Sequence, residues 1–184
     1  MKVKFKIILV LSIIFISFDH NGSGDKIIWN SSNKLSWDNF NGIPPKDSLN
    51  FDALTYYGYK YSLKTKNNLP ISFNSYLFFR KNKSWVRIKT PSLLNHEQGH
   101  FDIAEVYMRK FRKEVYKNRD KIKYISDCDK IFNESTFKLD SMQRIYDIQT
   151  DYSRNQVGQQ KWNDSIKVWL DRYKEYADTV IYFY

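Results

Sequence analysis

Two hydrophobic rhythms divide the chain. From Ile27 to about Lys89, apolar and polar residues alternate in short runs rich in aromatic and β-branched side chains. Ala53–Leu63, Ile71–Arg80 and Trp85–Lys89 read as strands, because a period of two puts every second side chain on one face of a sheet. Asn41-Gly42-Ile43-Pro44-Pro45 reads as a loop. From Leu93 onward the spacing lengthens to three and four. It predicts helices over about residues 92–118, after the Ser126-Asp127-Cys128-Asp129 break, and over about residues 155–177. The second carries Ile131, Ser135, Leu139, Met142 and Tyr146 along one stripe; the third carries Trp162, Ile166, Trp169, Leu170 and Tyr173. Stripes of this width pack into a core. The expected fold is α+β: an N-terminal antiparallel β-rich half against a C-terminal half of about three helices. No repeat or linker interrupts residues 19–184, so one domain is expected.

The first eighteen residues follow a different plan. Lys2, Lys4 and Lys6 precede an apolar run, Ile7–Phe18, of twelve residues. A bilayer-spanning helix needs about 20. This is the pattern of an export signal, with an uncleaved anchor as the alternative. The mature chain is then expected in the periplasm or outside the cell, without integral membrane association. Cys128 is the one cysteine and forms no intramolecular disulfide, so stability must come from the core. About 160 residues suffice for that.

The formal net charge is +10. Taking the three leader lysines from thirty basic residues leaves an excess of about seven over the twenty acids. The charge is scattered through stretches such as Lys64-Thr65-Lys66-Asn67-Asn68 and 109–119, and no nucleic-acid-binding motif accompanies it. It reads as a solvated surface, and nucleic acid is not an expected partner. Five tryptophans and fourteen tyrosines fall at strand and helix spacing. They read as core rather than as a carbohydrate-binding face.

The chemistry concentrates in His96-Glu97-Gln98-Gly99-His100, which holds two of the three histidines in the chain. Leu93-Leu94 before it and Phe101 to Met108 after it contain no proline, so the pentapeptide sits on the first helix. Helical residues advance by about 100°, which leaves His96 and His100 about 40° apart on one face. Both imidazoles can then ligate one zinc ion, while Glu97 reaches a water beside it as general base. Ile103 and Tyr107 share the histidine face, so that face is expected to be buried. Gly99 has a plain reading too, as room for another backbone to pack closely.

Around this motif the chain resembles a bacterial family, the domain of unknown function 922 family, whose members are described as predicted secreted zinc-dependent proteases. The resemblance rests on Lys83-Ser84-Trp85-Val86 and on Leu93 to Glu105, with His96-Glu97-Gln98-Gly99-His100-Phe101-Asp102 the most specific part. Leu35-Ser36-Trp37-Asp38-Asn39-Phe40, Ala53-Leu54-Thr55, Tyr146-Asp147, Thr150, Gln159 and Trp162 extend it along the mature chain. It implies a zincin-like fold, a zinc cofactor and a peptide or protein substrate. The family pattern places a histidine two residues after the threonine that follows Tyr-Asp. Here that position is Tyr152, in Thr150-Asp151-Tyr152. The third ligand then falls to Tyr152 as a phenolate, to Asp151 or to Asp147.

Geometry disfavours ligands from the motif helix itself. Glu105 lies about 140° from His100 and 180° from His96, and is better placed to pair with Arg109 at i+4. Asp102 lies about 120° from His96, on the side away from His100. A ligand from the second or third helix is expected. The functional expectation is an exported zinc metallopeptidase with Glu97 as the catalytic base. The alternative is an inactive envelope protein with a structural or vestigial metal site.

Overall fold

The computed structural model describes residues 24–46 and 51–183; the expected export signal, 1–18, lies outside them. Among the described residues no helix is long and apolar enough to cross a membrane. The elements are β1 (Lys26–Ile28), a 3-10 turn (Trp37–Asn39), β2 (Ala53–Leu54), β3 (Tyr57–Lys66), β4 (Leu69–Arg80), β5 (Trp85–Val86), α1 (Pro91–Lys117), α2 (Ile125–Thr150), α3 (Gln156–Arg172), a second 3-10 turn (Lys174–Tyr176) and β6 (Val180–Tyr182). The architecture is α+β, an antiparallel sheet packed against three helices.

The twelve-residue β4 is the spine of the sheet. β3 pairs along one edge of it, and β1 and β6 pair with opposite ends of the other. Asn67 and Asn68, both at positive φ, make the two-residue turn from β3 to β4. That backbone matches the twist of the two strands, and asparagine tolerates it. On β4, Phe73, Ser75, Leu77 and Phe79 are buried by the strand's period of two. They face α1, whose Phe101, Met108, Phe111 and Val115 complete the main core.

The expected strand over 53–63 is in fact two. Thr55 is buried with its hydroxyl donating to the Glu97 carbonyl, and the Tyr56 N–H donates to Ser84 Oγ. These side-chain bonds break the run, so β2 pairs with β5 and β3 with β4. The α2 boundary also differs from expectation. Asp127 Oδ2 accepts from the Lys123 and Tyr124 N–H groups, making 126–129 the first turn of α2 instead of a break before it. The helix α3 stops short of 177. Arg109 and Arg112 of α1 take the carbonyls of Leu170 and Tyr176, so the chain turns there and returns as β6, a strand the helical texture of this half concealed.

Thr90 caps α1 by accepting from the Leu93 N–H, and Pro91 opens the helix where no donor is needed. The helix is buried on nearly all sides, between the sheet and the other two helices. That burial extends to Glu105, Arg109 and Arg112, which is tolerable only because they are paired. Glu105 Oε1 sits 3.1 Å from Arg109 Nε and 3.0 Å from Arg112 Nη1, and Arg112 also donates to Ser75. The expected Glu105–Arg109 pair is present, within a larger cluster that ties α1 to β4.

Candidate metal centre

The site forms where α1 and α2 come closest. His96 and His100 lie on one face of α1, and α2 presents Gln143, Tyr146, Asp147 and Thr150 to them. Gly99 permits the approach. A Cβ on it would lie 2.1 Å from the Tyr146 hydroxyl oxygen, so the space is taken by a side chain and not by the backbone that the sequence suggested. Tyr146 stacks on the His96 ring at 4.6 Å with an 11° interplanar angle, and meets His100 edge-on at 4.9 Å. In this setting Gly99→Ala gains helix propensity of about 1 kcal/mol. It must also displace a hydroxyl held by two hydrogen bonds, an overpacking cost of up to about 3 kcal/mol. The expected result is a net loss of about 2 kcal/mol in urea unfolding. An unchanged midpoint would contradict this packing.

Three ligand atoms converge. Asp147 Oδ1 lies 3.2 Å from His96 Nε2 and 3.0 Å from His100 Nε2, and the two nitrogens are 3.2 Å apart. Among the described residues this is the group of histidine, cysteine and acidic side chains able to share one cation. A tetrahedral zinc site with ligands at about 2.0–2.1 Å has ligand-to-ligand edges of about 3.3 Å. The triangle fits that edge length. Among the described residues no fourth histidine, cysteine or acidic side chain joins the triangle, and the His100 and Asp147 side chains are partly exposed.

Both imidazoles are oriented with Nδ1 engaged by a side-chain oxygen and Nε2 turned into the cluster. Tyr146 gives its hydroxyl proton to the His96 carbonyl and therefore accepts from Gln159 Nε2. That turns Gln159 Oε1 toward His96 Nδ1, at 3.2 Å, so Nδ1 carries hydrogen and Nε2 is left to face Asp147. Thr150 Oγ1 lies 3.3 Å from the same nitrogen. Gln143 repeats the device. Its Nε2 donates to the His100 carbonyl and to Tyr57, so its Oε1 accepts from His100 Nδ1 at 2.7 Å. Partners of this kind fix ring orientation and raise ligand basicity. Burial keeps the Tyr146 hydroxyl protonated well above its ordinary range.

Charge is balanced within the cluster. Burial alone would lower the His100 pKa, but the Asp147 charge and hydrogen bond, with help from Glu97 and Gln143, raise it to about 9. Burial would likewise raise Asp147, yet His100 and His96 hold its carboxyl far below the usual range. Glu97 is buried beside them, and its Oε2 has no hydrogen-bond partner among the described residues.

The other candidate ligands are elsewhere. Asp151 caps α2 in a left-handed conformation, is exposed, and faces Arg154 at 3.9 Å. Tyr152 follows, also left-handed, with its ring against Phe51. Glu105 is spent on the two arginines. Asp102 accepts from Trp29 Nε1 at 2.7 Å and pairs with Lys34, tying the N-terminal segment to α1. Asp151, Tyr152 and Ser153 form three consecutive non-glycine residues at positive φ, 46°, 51° and 78°. Each costs about 1–2 kcal/mol relative to ordinary backbone.

The orienting residues Gln143, Tyr146, Thr150 and Gln159 escape a search for ligands. Gln143 had a signal, four residues before Asp147 and thus on the same face of α2. Compared with known proteins, the chain matches no family model, no curated protein and no solved structure.

Proposed function

We propose that this chain is an exported zinc-dependent hydrolase acting on peptide bonds, zincin-like in its use of a two-histidine helix and akin to the family its sequence resembles. His96, His100 and Asp147 would hold the ion. Two imidazoles and a carboxylate suit zinc, and the donor triangle matches its ligand spacing. When bound, zinc supplies Lewis acidity, drawing the pKa of a coordinated water toward about 7 and polarising a carbonyl.

The observation that carries the reading is Glu97. A buried carboxylate oxygen without a partner is costly, and such a group beside a ligand cluster has a use for its free lone pairs. Its carboxylate is suited to take a proton from the attacking water and pass it to the leaving nitrogen. Gln143 and Gln159 keep the imidazole protons on Nδ1 throughout, so neither ring competes for that proton. A purely structural zinc site is normally closed by four protein ligands. Three ligands and a partly exposed edge favour chemistry over support.

The test uses protein without an affinity histidine tag. Dialysed against zinc, it is expected to retain one equivalent and to cleave members of a mixed peptide pool, read by mass spectrometry. A chelator should abolish the cleavage. Protein that stays metal-free, or that binds zinc and cleaves nothing, removes the reading.

A further inference from the structure

The metal centre has two flanks. On one, the connector between α2 and α3 rests on α1 a single turn before His96, where Ser92 Oγ donates to the Ser153 carbonyl at 3.1 Å and accepts from Gln156. On the other, the chain leaving β2 rests on Glu97 through Thr55, at 3.2 Å. One aromatic pair joins these flanks. The rings of Phe51 and Tyr152 meet edge to face with centroids 6.1 Å apart. Tyr152 remains 37% exposed. The Tyr152 backbone is bonded to the Asp147 carbonyl at 3.0 Å, so this partly exposed ring pair stands at the end of α2 that supplies the carboxylate.

The backbone makes this arrangement deliberate in physical terms. Left-handed conformation at three successive non-glycine residues is disfavoured, most of all for a bulky ring, and persists only where surrounding contacts enforce it. Here the Tyr152 N–H donates to the Asp147 carbonyl, so the strained turn is anchored to the residue that supplies the carboxylate ligand. Strain of this kind collects at ligand-contacting positions.

Resting on the hydrolase reading above, we propose that Phe51 and Tyr152 are specificity-determining residues, forming a wall that selects substrates with a bulky apolar, chiefly aromatic, side chain beside the bond to be cleaved. A flat apolar ring can add a third edge-to-face partner to the existing pair. An acidic side chain has no apolar face to lay against the pair and gains nothing from it. Tyr152 acts through its ring in this scheme, and its hydroxyl is not a metal ligand.

The test is binding of small hydroxamates, which chelate zinc, to the zinc-loaded full-length protein by calorimetry. Acetohydroxamate reports the metal alone; phenylalanine and aspartate hydroxamates add a side chain. Phenylalanine hydroxamate is expected to bind about tenfold tighter than acetohydroxamate, and aspartate hydroxamate no tighter. Tyr152→Ala or Phe51→Ala should bring the phenylalanine-to-aceto ratio toward one, while Tyr152→Phe preserves it. Equal affinities in the unaltered protein, or a ratio that survives both alanine substitutions, overturn the proposal while acetohydroxamate binding upholds the metal centre. A Tyr152→Phe protein that loses zinc would overturn it too, by making the phenol a ligand. If no hydroxamate binds, the metal centre itself is wrong and the wall falls with it.

Discussion

Glu97→Gln is expected to reduce kcat/KM for peptide cleavage by about 10²–10⁴ while zinc content stays at one equivalent. The substitution keeps shape and volume, but an amide cannot hold the proton that a carboxylate accepts. Stability should move the other way. In the native protein Glu97 buries an oxygen that lacks a hydrogen-bond partner. A neutral amide is cheaper to bury than a charge, so the variant's melting temperature should equal or exceed that of the parent. Activity lost with stability gained is the signature of a group kept for chemistry. Activity unchanged would sink the assignment of the base. Zinc lost with activity would instead make Glu97 a binding residue.

Asp147→Asn should weaken zinc binding by about a hundredfold or more, since even groups that only orient a ligand are worth ten- to a hundredfold. The pH dependence separates a lost ligand from a general disturbance. In the metal-free protein His100 holds its proton up to about pH 9, against an ordinary value of 6.5, because Asp147 outweighs the effect of burial. A raised pKa means that its contribution to stability is complete below about pH 6.5 and is lost as pH climbs through about 9. Asp147, depressed in turn, contributes above the ordinary carboxylate range and loses its contribution only in strong acid. Zinc must displace the His100 proton, so zinc affinity should rise with pH until about 9 and then level off. Without the Asp147 charge that rise should shift to lower pH, because burial alone favours the neutral ring. Chelator-competition titrations at three pH values would check it. An identical pH profile in the two proteins would exclude Asp147 from the cluster.

The helices and the longer strands follow from periodicity, and His96, His100 and Glu97 follow from their spacing on one helix. The third ligand does not follow from spacing. Asp147, Asp151 and Tyr152 stand within six residues, and which of them meets α1 depends on where α2 ends. It ends in a left-handed turn that carries Asp151 outward and swings Tyr152 toward Phe51. That turn is a tertiary effect, fixed by Ser92 and Gln156 from other elements. The closeness of α1 and α2 was likewise hidden, because Gly99 has meaning only opposite Tyr146. The strand β6 is three residues long and was masked by the helical region before it; its place is set by the spare edge of β4. Gln143 and Gln159 look like ordinary polar helix residues until their amides are seen to orient the two rings.

The sheet's layout also bears on how this chain avoids sticking to its own copies. Because β1 and β6 occupy one side of β4, β3 is the outermost strand of the sheet. Its unpaired backbone groups are a template for a foreign strand. Lys60, Lys64 and Lys66 stand exposed along it, and the pairing register slips between Lys64 and Thr65. The positive charges discourage a second molecule from adding in register, and the extra residue, Ile71 on β4, adds to the local twist of the pair. Part of the chain's basic excess is thereby a guard against fibrous self-assembly, positioned on the strand that most needs one.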